Sequence, residues 1–168
     1  MIVSVIVLIF SFLFQGFISN YINYTLTSPS WFSTIYILIT LVILFPYFDN
    51  SKNYLKLLII FGLLMDIVYT NTFILNVVVF LIIYFLCKLI NFFLPHNIVT
   101  INLLNIISVV IYHILIFVIL MIIGYDKYPL GLLFIIIKRS VPMTIIYGTV
   151  MYFIISKTLN YLNIKTLK

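Results

Sequence analysis

The stretch that decides the fold is residues 54–93, YLKLLIIFGLLMDIVYTNTFILNVVVFLIIYFLCKLINFF. Two apolar runs, about 54–69 and 73–93, flank the short polar turn Thr70-Asn71-Thr72. A helix needs roughly 20 mostly apolar residues to cross a hydrocarbon core about 30 Å thick. Each run approaches that length, and a tight turn between them makes antiparallel neighbours. Neither run alternates polar and apolar residues as the wall of a transmembrane barrel does. The pair reads as two membrane-spanning helices.

The same pattern extends through the chain. Of its 168 residues, 65% are hydrophobic and 7% charged. Ordinary globular domains are about half apolar and about a quarter charged. With a mean hydropathy of +1.34, the chain has too little polar surface to cover a core in water. The further expected spans are about 2–18, 31–48, 101–123 and 142–159. Together they predict an all-α, polytopic integral membrane protein, a single bundle of about six transmembrane helices. Residues 1–20 lack a basic lead-in and a small-residue cleavage site, so they are expected to stay as the first span. Ser28-Pro29-Ser30 reads as a helix start, with Trp31 at the headgroup level. The stretch from Pro129 exceeds one straight span and is interrupted at Lys138-Arg139-Ser140-Val141-Pro142. It is expected to divide into an interfacial or re-entrant helix over 129–139 and a span starting at Pro142, where proline's missing N–H costs nothing.

The formal net charge of +6 is scattered over the ends of spans. It forms no basic patch with interleaved aromatics, so nucleic acid is not expected as a partner. Counting Lys and Arg in short loops orients the chain. With six spans, Lys52, Lys56, Lys88, Lys157, Lys165 and Lys168 share the side of both termini, which are expected in the cytoplasm. Lys127 falls opposite. The sequence holds neither Ala nor Glu. The lone cysteine, Cys87, is expected as a packed or lipid-facing thiol.

Asp66 stands out because an acid inside a span costs about 2.5–3.5 kcal/mol on insertion scales unless it is paired or hydrated. Gly62, Asp66 and Thr70 fall on one helix face, so a neighbouring helix approaching at Gly62 would meet the carboxylate. His113, mid-span beside Tyr112, and Arg139, the single arginine, are the candidate partners for Asp66. Local alternatives are a backbone carbonyl for His113 and a snorkelling position for Arg139. Neither His113 nor His96 has companions at metal-ligand spacing. Three Asp spread along the chain cannot cluster as a metal-dependent transferase requires. Only Asp66 lies in a span, whereas a membrane aspartyl protease needs two. No Gly-x-Ser-x-Gly turn or phosphate-binding loop occurs. A non-catalytic protein without metal or cofactor is therefore expected.

From Gly62 onward the chain resembles the MreD family of bacterial rod-shape-determining membrane proteins. The residues that carry the resemblance are Gly62-Leu63-Leu64-Met65-Asp66-Ile67-Val68-Tyr69-Thr70, continuing through Asn76 and Val77 to Tyr84. Arg139-Ser140-Val141-Pro142 follows before the last span. Ile74 stands where many members carry glycine. The resemblance implies a multi-pass scaffold of the bacterial cell membrane, working in cell elongation and peptidoglycan synthesis. It implies an MreC-like single-span partner and, through it, the MreB filament and a RodA-type glycosyltransferase with its transpeptidase. Gly62, Asp66, Thr70, Asn76, His113, Arg139 and Pro142 would then organise the bundle or meet the partner. The alternative is the substrate-binding subunit of an energy-coupling-factor vitamin transporter, another small six-helix protein. It needs an aromatic-lined pocket, for which the 13 Tyr and 16 Phe would serve, but the Ala-rich docking motif of such subunits is absent.

Overall fold

The computed structural model describes residues 2–21, 34–48, 51–91, 97–124 and 130–161. Trp31, His96, Lys127, Lys165, Lys168 and the expected helix start at 28–30 lie outside the described residues. Among those described, six α-helices and no strand occur: α1 (Ile2–Tyr21), α2 (Tyr36–Leu44), α3 (Ser51–Met65), α4 (Leu75–Asn91), α5 (Ile98–Ile122) and α6 (Leu130–Tyr161). Three helical stretches are long and apolar enough to cross a membrane, Lys52–Thr70, Ile98–Ile122 and Leu130–Leu159. Three shorter apolar helices complete the bundle. The protein is an all-α, multi-pass membrane protein.

Every residue of α2 is buried, because α1, α4, α5 and α6 all pack around it. Its sequence, YILITLVIL, has no polar face, as a helix enclosed on all sides requires. Pro46 lies in one turn of 3₁₀ helix, Phe45–Tyr47, that closes α2, and the Tyr54 hydroxyl donates to the Leu41 carbonyl at 3.0 Å. The peripheral helices turn large apolar side chains outward, among them Ile6, Phe10, Leu13 and Phe17 of α1. In water such a surface would aggregate; in hydrocarbon it is the ordinary outer face of a spanning helix.

Within the bundle, hydroxyls and amides join the helices. The Tyr147 hydroxyl donates to Ser11 Oγ at 2.9 Å, and Ser11 Oγ lies 2.7 Å from Thr40 Oγ1, tying α6, α1 and α2 together. Phe14, Tyr36 and Tyr147 stack around this triad. The Gln15 side chain accepts from the first N–H of α2, one of the donors a helix start leaves without an intrahelical partner. Asn102 Nδ2 donates to Thr149 Oγ1 across α5 and α6 at 2.9 Å, and Gly148 gives the amides of Asn102 and Asn105 the room to approach. Cys87 is a packed thiol, 3.3 Å from Ser108 Oγ.

The expected division at Pro142 does not occur. Helix α6 runs unbroken from Leu130 to Tyr161 with Pro142 inside it, so there is no separate helix over 129–139. A proline within a helix removes one N–H and displaces a carbonyl, which hydrocarbon cannot hydrate. The freed carbonyl is that of Lys138, and hydroxyls bond the carbonyls on either side of it. Ser140 Oγ donates to the Ile137 carbonyl, while the Ser140 carbonyl accepts from Thr144 Oγ1 at 2.8 Å and from Thr34 Oγ1 at 2.9 Å. Replacing Pro142 by Ala should return one helical hydrogen bond and leave these contacts intact. Its unfolding midpoint in mild detergent should equal or exceed that of the parent, whereas Thr144→Val should lower it.

Candidate functional site

The end of α3 does not stop as an ordinary helix. Asp66–Thr70 forms one wider, π-type turn, and Asn71 then takes a left-handed conformation, φ 49°. The Asp66 carbonyl accepts from the N–H of Asn71 and, at 3.1 Å, from that of Thr72. Two residues on, Ile74 has φ 67°, and its carbonyl accepts the first helical bond of α4, from the N–H of Val78. Ile74 is therefore the residue before the first turn of α4, and the N–H groups of Asn76 and Val77 have no carbonyl of α4 to reach.

The Asp66 side chain supplies them. Its two oxygens accept from the Asn76 N–H at 2.9 and 3.1 Å, and Oδ2 accepts from the Val77 N–H at 3.4 Å. Oδ1 also accepts from Thr72 Oγ1 at 2.6 Å and from Asn76 Nδ2 at 2.9 Å. This is N-terminal capping carried out by a residue of the preceding helix. The carboxylate also sits where the dipole of α4 favours negative charge. Asp66 is 1% exposed. Its burial is tolerable because both oxygens are hydrogen-bonded, as a polar group taken out of water requires.

The remaining motif residues serve the same junction. Gly62 lies one turn before Asp66, and a Cβ there would come within 3.0 Å of the Val77 Cα. Only glycine lets the backbone of α4 come so close. Thr70 Oγ1 accepts from Asn76 Nδ2 at 3.0 Å and lies 2.6 Å from Thr72 Oγ1. Asn76 passes the network on: its Oδ1 accepts from the Tyr112 hydroxyl at 2.5 Å, which fastens the α3–α4 junction to the middle of α5. Tyr69 secures it to α1, donating to the Phe12 carbonyl at 2.8 Å across Gly16. Comparison with family models, with characterised proteins and with solved structures found no match. The chemistry of the junction is thus read from its own geometry.

That geometry corrects one expectation. Neither Arg139 nor His113 is a partner of Asp66, whose carboxylate is occupied by Thr70, Thr72, Asn76 and Val77. The helix start and turn beside the acid satisfy it locally, so no cross-bundle cation is needed. His113 is buried on α5 with its ring edge-on to Tyr112. Arg139 and Pro142 belong to the middle of α6, away from the α3–α4 junction. Gly62, Asp66, Thr70 and Asn76 do come together. Thr72 and Tyr112 complete the network without having been singled out. The signal for Thr72 was its place in a polar turn bounded by two apolar runs. For Tyr112 no sequence signal existed. Among the described residues no group of His, Cys or Asp is arranged to hold a metal ion.

The arrangement holds helix ends together, and it predicts the effects of substitution. Asp66→Asn places an NH₂ group against the N–H donors of Asn76 and Val77. The variant should lose about 1–3 kcal/mol, the range for removing a buried hydrogen bond to a charged group, seen as a lower unfolding midpoint in detergent. Ile74→Gly should act in the opposite sense. A β-branched residue at positive φ carries strain on the order of 1–2 kcal/mol, which glycine does not. Thermal unfolding of the two variants side by side checks both signs.

Proposed function

We propose that this chain is a non-catalytic membrane scaffold of the bacterial cell-elongation machinery, an MreD-like protein that binds an MreC-like single-span partner. Through that partner it would be linked to the MreB filament and to a RodA-type glycosyltransferase with its transpeptidase. The observation that carries the reading is the chemistry of the Gly62–Thr70 motif. The side chains that bring the resemblance to the family, Gly62, Asp66, Tyr69 and Thr70, all serve to lock α3 against α1 and α4. Polar groups spent on fixing helix ends suit a protein whose product is a rigid surface. A catalyst would instead direct such groups at a substrate.

In this reading both termini are cytoplasmic, supported by the gathering of Lys52, Lys56, Lys88 and Lys157 toward one end of the bundle. Very little of the chain would extend beyond the bilayer, so recognition takes place largely within it. Helix packing, hydrogen bonds and lipid release drive such association.

The test is recovery of the tagged chain from its own membranes in mild detergent, identifying proteins and small molecules together. An MreC-like protein should copurify with no tightly bound small molecule. Asp66→Asn should lower that recovery, because loosening α4 disturbs the surface presented. Copurification of a vitamin with ATPase subunits would overturn the scaffold reading in favour of a transporter component.

A further inference from the structure

Helices α5 and α6 reach farther than α4 and α2. The Asn76–Tyr112 hydrogen bond sets the start of α4 beside the middle of α5, and Thr34 sets the start of α2 beside Ser140 of α6. From Tyr112, α5 continues to Ile122, about 15 Å of helix at 1.5 Å per residue. From Ser140, α6 continues back to Leu130, a similar length. Between Ile114 and Ile122 and between Leu130 and Ile137 these distal segments hold only Ile, Leu, Val, Phe and Met apart from Gly131. Lys138 and Arg139 follow at the inner end of the second. Several side chains are open: Val118, Met121, Phe134 and Ile135 among them.

Lys138 lies where the distal segment of α6 meets the bundle. It is exposed, and apolar exposed side chains flank it, Phe134 and Ile135 on one side and Ile145 and Ile146 on the other. Asp66 is the one carboxylate among the described side chains, and it is enclosed by its own network, so nothing described within the chain pairs with the Lys138 ammonium. This surface cannot be in the right solvent at every point. If the hydrocarbon ends at Lys138, about 12 Å of apolar helix on α6, with the matching part of α5, stands in water. If the hydrocarbon covers the distal segments, an ammonium with no partner among the described side chains lies in lipid, about 12 Å of helix below the boundary and past the reach of a snorkelling stem.

We propose that the face of α6 centred on Lys138 docks a single membrane-spanning helix of another protein that carries a carboxylate at the level of Lys138. An apolar helix laid along Phe134, Lys138 and Ile145 covers the exposed side chains, and its carboxylate pairs with the ammonium, removing both conflicts at once. The inference rests on the scaffold reading above and assigns the partner a place and a charge.

The test places a photo-crosslinking amino acid at Phe134 or Ile145 in the full chain, in its own membranes, with Phe85 on the outer face of α4 as the control. Phe134 and Ile145 should crosslink to one single-span protein and Phe85 should not. Lys138→Glu should cut that crosslink about tenfold or more, the change that 1.4 kcal/mol produces. Exchanging the partner's acid for Lys should restore it in the Lys138→Glu chain. Crosslinks to lipid alone, equal yields at Phe85, or indifference to Lys138→Glu would each overturn the proposal. Recovery of an MreC-like protein in the pull-down, with no crosslink from this face, would overturn the docking site and leave the scaffold standing. A crosslinked acidic partner with no part in wall synthesis would support the docking site and remove the scaffold.

Discussion

The structure depends on how one buried acidic side chain closes the junction of two helices. Where α3 ends and α4 begins, carbonyls and N–H groups are left without helical partners, and in hydrocarbon each would cost several kcal/mol. Asp66 answers for both ends. Its main-chain carbonyl collects the N–H groups of Asn71 and Thr72, and its side chain collects those of Asn76 and Val77. With the junction closed, Asn76 is held where it can accept from Tyr112, and Tyr69 where it can reach Phe12. Helices α1, α4 and α5 thus take their positions relative to α3 from this point.

Elsewhere the bundle is joined by neutral groups. The Ser11–Thr40–Tyr147 triad draws together α1, α2 and α6, and the hydroxyls of Thr34, Ser140 and Thr144 bond carbonyls of α6 close to Pro142. Lipid tails give apolar helices little incentive to leave them for one another, so shape and hydrogen bonding decide which faces meet. The absence of alanine leaves that task to a few small residues. Gly16, Gly62 and Gly148 each stand where a neighbouring side chain or backbone comes too close for a Cβ.

The α3–α4 turn also carries a conflict. Ile74 adopts a positive φ, a conformation that suits glycine. A β-branched residue holds that conformation only if its surroundings impose it. The bonds from Asp66 to the first turn of α4 do so, since they fix the direction in which the chain must leave the turn. A chain rich in isoleucine has here accepted local strain, and the buried carboxylate network compensates for it.

Hydrophobicity alone was enough to determine that this is an all-α membrane protein of about six helices, and helical period put Gly62, Asp66 and Thr70 on one face, because span length, turn residues and helical period are local properties. Asn76 was legible only through a family resemblance. What the tertiary structure decided was who meets whom. It gave Asp66 to the start of α4 and not to Arg139 or His113, put α2 at the centre, and let α6 run through Pro142. In lipid, apolar sequence carries no information about which face turns inward, since both surroundings are equally apolar. Hydrogen bonds between residues far apart in the chain make that choice, and these exist only once the helices are packed.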